Sequence, residues 1–278
     1  MERFDLNGVR LNDHQKLEID RLLNRISGQS FCLEDMWALL DQVWDEFGCD
    51  NKELDWDKIN KFYQHPVWIL NGLFIEQHEL SMQHRHAITD WLINEKKETK
   101  ISKIIDYGGG FGSLARLIAE KNKEFKVDIF EPHPSDFAVN RCRPFYNIEF
   151  VDKITSEYDC LVCTDVLEHV PNPLKVLEEM IECVRLDGLL VIANNFRPVV
   201  KCHLPSTFHF QYTFKYFAQM MQLKYIGPCK GSHAEIYQKV KSRPFKWNRL
   251  RAFEKISSRF SFFFKILHFI HRKIRVRS

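Results

Sequence analysis

Three consecutive glycines set between an apolar run and a helical pattern constrain this chain more than any other stretch: Ile104-Ile-Asp-Tyr-Gly-Gly-Gly-Phe-Gly-Ser113. The run from Ile101 to Ile105 reads as a strand, and Leu114-Ala-Arg-Leu-Ile-Ala-Glu120 carries apolar residues at helical spacing. Gly108, Gly110 and Gly112 permit a tight strand-to-helix turn whose backbone can touch a ligand. The free N–H groups at the helix start point to the same place. Asp106, near the strand end, adds an acceptor there. Such a turn suits a nucleotide-type ligand.

From Ile101 onward, strand and helix patterns alternate. A strand over 125–130 ends at Glu131-Pro132, and one over 147–151 ends at Asp152. The strand over 158–163 ends at Thr164-Asp165, and Gly188 to Ala193 forms a fifth. Helices are expected near 135–142, 173–184 and 212–221, with late strands near 224–227 and 233–240. This order predicts an α/β fold: a doubly wound, mostly parallel, seven-stranded sheet of Rossmann-like type, with its site at the strand C-terminal ends. Residues 101–240 make that domain. Residues 1–100 form a helical extension on the substrate side, and 241–278 a basic amphipathic tail.

In the extension, Leu17, Ile19, Leu22, Leu23 and Ile26 mark one helix, and Met36 to Phe47 a second. The stretch 62–74 reads as broken at Pro66 and Gly72. A helix over about 80–96 carries Ser81, His84, Arg85 and His86, whose polar side chains suit a pocket wall or solvent. In the tail, Leu250, Phe253, Ile256, Phe260, Phe263, Phe264, Leu267, Ile270 and Ile274 recur at three- and four-residue steps among Lys and Arg. Residues 239–278 hold 13 basic side chains and one acid, leaving the rest of the chain at −9. An acidic body excludes a nucleic-acid face. The basic tail suits an anionic membrane surface, packing on the domain or on a second subunit, or RNA. The charged N-terminus and the lack of a long apolar run place the chain in the cytoplasm, peripheral on the membrane at most. Eight scattered cysteines read as free thiols; Cys160 and Cys163, three apart in a strand, face opposite ways.

A nicotinamide dehydrogenase wants Gly-x-Gly-x-x-Gly, and Ser113 stands where the third glycine belongs. Asp106-x-Gly-x-Gly-x-Gly112, Glu131, Asp152 and Asp165-Val-Leu-Glu-His-Val-Pro-Asn-Pro173 fall in order at successive strand ends. This combination resembles the class I S-adenosylmethionine-dependent methyltransferases, over roughly residues 101–240. The resemblance implies that Gly108 and Gly110 pass under the methionine part of the cofactor, with Asp106 at its ammonium group. Glu131 would hold the ribose hydroxyls, Pro132 would pack by the adenine, and Asp152 would accept from the adenine amino group. Thr164 and Asp165 would lie beside the sulfonium. His169 is the first candidate base, with Asp165 beside it, and His203 and His209 are second candidates. In some quinone-pathway O-methyltransferases a similar segment binds a metal. Here Asp165 replaces the first Glu and no fourth ligand is recognisable, so no metal is expected.

The turn after the fourth strand lacks the Asn/Asp-Pro-Pro-Tyr of nucleobase amine methyltransferases. The segment Tyr63-Gln-His-Pro-Val-Trp-Ile-Leu-Asn-Gly72 resembles the leader of bacterial surface-polysaccharide methyltransferases. That implies a sugar hydroxyl or lipid-linked glycan as acceptor. The alternatives are a small metabolite or quinone-type lipid, and a silent methyltransferase-like binding protein. The oligomeric state stays open.

Overall fold

The computed structural model describes residues 6, 9–26, 31–96, 99–154, 157–261 and 265. Seven strands form one sheet: β1 (Lys103–Tyr107), β2 (Lys126–Phe130), β3 (Ile148–Phe150), β4 (Tyr158–Thr164), β5 (Val184–Ala193), β6 (Leu223–Pro228) and β7 (Glu235–Lys239). Their order is β3-β2-β1-β4-β5-β7-β6, parallel from β3 to β5, with β7 antiparallel to both its neighbours. The doubly wound sheet expected from the sequence is therefore present. Its order reverses between β1 and β4, and a crevice opens there beyond the strand ends.

Central strands are apolar on both faces because helices cover both. Cys160 joins one buried layer, with Ile104 and Val162, and Cys163 joins the opposite one, with Ile105 and Leu161. All eight cysteines are free thiols. Helices α6 (Ser113–Lys121), α7 (Asp136–Cys142), α8 (Pro173–Cys183) and α9 (Phe210–Met220) follow the strands. Lys239 is buried, and its ammonium donates to the carbonyls of Ile181 and Val184, closing the C-terminal end of α8.

Upstream lie α1 (Asp13–Leu23), α2 (Leu33–Glu46), α3 (Trp56–Gln64), α4 (Val67–Gln77) and α5 (Glu79–Lys96). Helix α5 packs Ile88 and Leu92 into the sheet layer that contains Ile104. The other four enclose a third core, which takes in Phe137, Val200 and Cys202 from the sheet side. The sequence suggested a broken segment at Pro66 and Gly72. Instead Pro66 caps α4, and the helix runs through Gly72. Its apolar residues lie all round because both sides are covered, so no amphipathic stripe marked it. Gly72 is needed for contact: a Cβ there would lie 2.3 Å from Cγ of Phe111, which belongs to the glycine turn. Gly72→Ala is expected to destabilise the fold by about 1–3 kcal/mol, read as a lower unfolding midpoint. An unchanged midpoint would refute this contact.

The tail helix α10 (Trp247–Arg259) docks on the domain. Leu250 is buried, Phe253 meets Phe217 at 4.8 Å, and Ser257 hydrogen-bonds the His209 ring at 2.8 Å. Ile256 and Phe260 remain exposed. Phe263, Phe264, Leu267, Ile270 and Ile274 of the proposed apolar face lie outside the described residues.

Candidate active site

One cavity of about 990 Å³ lies above the β1–β4 crevice, between the sheet and the helical extension. The glycine turn forms its floor. Gly108 and Gly110 have φ of 69° and 49°, where a side chain would be strained. At Gly108 a Cβ would also lie 2.4 Å from the Val166 side chain. The turn is held by the Gly108 N–H, which donates to the Phe130 carbonyl at 2.7 Å. The Gly110 N–H donates to Glu131 at 2.9 Å, and the other Glu131 oxygen accepts from the His133 N–H at 3.0 Å.

Asp106 is buried under this turn, and neither of its carboxylate oxygens meets a donor at hydrogen-bonding geometry. Burial pushes its pKa up to about 7, although Arg85 and the Ala115 N–H pull the other way. An acid kept there without a partner is costly, which is the mark of a group that serves a ligand.

Asp165 follows β4 in a left-handed conformation, φ 55°, and its N–H donates to the Ala193 carbonyl at 2.8 Å. Its carboxylate opens onto the cavity and meets Nε2 of His233 at 3.2 Å. Burial works against ionisation of Asp165, but His233 and Arg85 together outweigh it and hold the carboxyl below its ordinary value. The same hydrogen bond raises His233, against the effect of burial. When His233 is protonated the two form an ion pair, and the Arg85 guanidinium adds a second positive charge that favours the carboxylate. Arg85 itself donates to the Ser81 carbonyl at 3.0 Å.

Beyond Asp165 a short 3₁₀ turn, Leu167–His169, carries the next two groups. Glu168 is fully buried; one of its carboxylate oxygens accepts from the Asn195 N–H at 2.7 Å, and the other lacks a partner. Burial, with the adjacent Asp165 charge, drives Glu168 well above the usual carboxylate range. His169 places Nδ1 3.1 Å from the Cys202 carbonyl, and His203 places Nδ1 2.6 Å from the Arg197 carbonyl. A carbonyl only accepts, so both imidazoles carry their proton on Nδ1 and keep Nε2 as an acceptor. Burial, then the neighbouring His203, holds His169 down at about 3, and burial lowers His203 too. The rings meet edge to face, with centroids 4.7 Å apart. Two neutral imidazoles on a cavity wall can take a hydrogen bond, or a proton, from an acceptor hydroxyl.

The structure thus gathers Asp106, Gly108, Gly110, Glu131, Pro132, Thr164, Asp165, His169 and His203 on one cavity. Asp152 is exposed and lies outside its lining. His209 faces away, buried against the tail helix and held at about 4 by burial, so it is a docking residue rather than an acceptor-side group. Ser81 and Arg85 of α5 line the cavity. His84 instead reaches the Gly231 carbonyl and the His233 ring, and His86 is exposed. Sequence reasoning missed His233. It sits 68 positions from Asp165, on a loop with no periodicity to flag it. It also missed that Glu168, His169 and His203 bring one donor atom each to within 4.8 Å of one another, a set different from the one compared with metal-binding relatives.

A family model described as a methyltransferase domain matches residues 76–239. The chain belongs to this methyltransferase family. Among curated proteins it is similar to the ubiquinone biosynthesis O-methyltransferase of Coxiella burnetii, 24% identical over 116 residues, which is 38% of this chain and 50% of that protein. The counterpart from Erwinia tasmaniensis is 25% identical over 130 residues, 44% of this chain and 52% of that one. The chain spans about half the length of the curated relatives it matches. The solved CurJ carbon methyltransferase shares the fold at 10% identity and a TM-score of 0.51, over 82% of this chain and 69% of that one. For this methyltransferase the sequence resemblance implies S-adenosylmethionine as the methyl donor. Its residues fit that cofactor: Asp106 is an acid without a partner, and the Gly108–Gly110 turn would be filled by side chains. When bound, S-adenosylmethionine supplies a methyl group on a positively charged sulfur. Asp106, Glu131 and the turn would hold it, with Asp165 as the nearby carboxylate.

Proposed function

We propose that this methyltransferase is O-directed and acts on a hydroxyl of a sugar or lipid-linked glycan intermediate. The observation that carries this reading is the pair of neutral imidazoles, His169 and His203, whose Nδ1 protons are committed to carbonyls. Nε2 of either ring orients the hydroxyl oxygen and receives its proton as that oxygen gains the methyl group. Asp106, Gly108, Gly110, Glu131, Pro132 and Thr164 hold the cofactor, and Asp165, braced by His233, balances its charge. Asp152, exposed at the end of β3, is the adenine-side acceptor from the same resemblance. Residues 1–100 serve as the acceptor-side lobe, 101–240 as the cofactor domain and 241–278 as the tail.

Exposed Ile256 and Phe260 lie on a tail rich in Lys and Arg, which suits the anionic inner face of a membrane and brings the enzyme to a lipid-linked acceptor. No helix among the described residues is long and apolar enough to cross a membrane. A second reading, a phenolic hydroxyl of a quinone-type lipid, is favoured by the names of the curated relatives.

The test is mass spectrometry of glycan and lipid extracts from cells with and without the gene. Loss of one methyl group from a glycan supports the first reading, and loss from a quinone overturns it. In calorimetry, Glu131→Ala is expected to weaken S-adenosylmethionine binding by at least about tenfold. Unaltered affinity would remove Glu131 from the site.

A further inference from the structure

We infer that the helical end of the cavity is a subsite for an uncharged sugar ring and turns away sugar phosphates and sugar nucleotides; this rests on the glycan reading above. The charges on the cavity wall support it first. Asp106, Glu131, Asp136 and Asp165 line the cavity on the sheet side, and the one guanidinium among the described lining residues is Arg85. Arg85 is already engaged electrostatically by Asp165 and Asp106. Among the described residues, helices α1 to α4 add no lysine or arginine to the lining. Carboxylates outnumber the single guanidinium on these low-dielectric walls, so a phosphate bearing close to two negative charges meets repulsion and finds no unengaged lysine or arginine among the described lining residues.

The lining chemistry of that end supports it second. Trp37, Trp56, Tyr63 and Trp68 all line the cavity, and the Tyr63 and Trp68 rings stack with centroids 5.2 Å apart. Interleaved with them are the carboxamides of Asn12 and Gln15. Their oxygens are occupied by the capping box at the start of α1, which leaves their NH₂ groups as donors. Flat aromatic faces beside amide donors match a pyranose, which has apolar C–H faces and a rim of hydroxyl acceptors.

The experiment is tryptophan fluorescence titration of the full-length protein saturated with S-adenosylhomocysteine. The probes are methyl glycosides of neutral hexoses and 6-deoxyhexoses, hexose 1-phosphates, uridine diphosphate hexoses and catechol. Neutral glycosides are expected to bind at least about tenfold more tightly than either phosphorylated class. Trp56→Ala, at an exposed helix start, should weaken glycoside binding by about fivefold or more and leave S-adenosylhomocysteine affinity unchanged. Gln64→Lys, which adds a cation to the wall, should raise hexose 1-phosphate affinity by about tenfold. Phosphorylated sugars that bind as well as neutral ones overturn the inference and leave the glycan reading standing. Catechol binding without any glycoside overturns both. Silence from every probe overturns the subsite.

Discussion

Asp106→Asn is expected to stabilise the unliganded protein at about pH 8 while cutting S-adenosylmethionine affinity by about tenfold to a hundredfold. Burial raises the Asp106 pKa to about 7, whereas in the unfolded chain an aspartate titrates near about 3.9. Below both values the acid is protonated in either state and affects stability little. As pH rises between them, the unfolded chain ionises first, so the folded state loses stability, fully by pH values above about 7. The loss amounts to about 4 kcal/mol. An asparagine there still buries polar atoms without partners, at a cost of about 1–3 kcal/mol. The net gain of about 1–3 kcal/mol should shrink to nothing, or reverse, as pH is lowered towards about 4. Urea unfolding of both proteins across pH, paired with calorimetry, reads both effects. A stability difference that ignores pH would show that Asp106 is not held as a strained acid.

His169→Ala should lower kcat by about a hundredfold to a thousandfold and leave cofactor affinity within about threefold. His203→Ala should act in the same direction, and the double substitution should cost little more than the worse single one, because the two rings form one acceptor pair. The pH profile gives an independent sign. Burial and His203 hold His169 at about 3, so the neutral imidazole persists far below the ordinary histidine value. Activity should therefore show no acid limb near about pH 6.5 from this group. Partial rescue by His169→Gln, whose amide oxygen can accept but cannot take a proton, would separate orienting the hydroxyl from deprotonating it. If cofactor affinity falls in step with kcat, the histidine is supporting the fold and not the acceptor.

The sheet was legible because its strands are short, apolar and separated by helical spacing, and the glycine turn marked the site edge by edge. Helix α4 was not, since a helix covered on both sides has no stripe, and Gly72 looked like a break when it is a contact. Among the site residues, Asp106, Glu131 and Asp165 stood out because each closes a strand. His233 did not, because a single side chain brought in by a distant loop leaves no periodic trace. His209 shows the converse error. A histidine on the connection after β5 looked suited to the acceptor, and it pins the tail helix through Ser257 instead.

The contact of Phe111 with Gly72 ties the two halves of the chain at one point, since the ring belongs to the turn and the glycine to the lobe helix. Glu76, one turn further along α4, reinforces it by accepting from Ser113 at 2.7 Å and pairing with Arg116 and Arg141. A ligand that stiffens the turn thereby stiffens the wall across the cavity, and the coupling runs equally in reverse. The expected signature is positive cooperativity: donor and acceptor each bind more tightly, by the same factor, when the other is present.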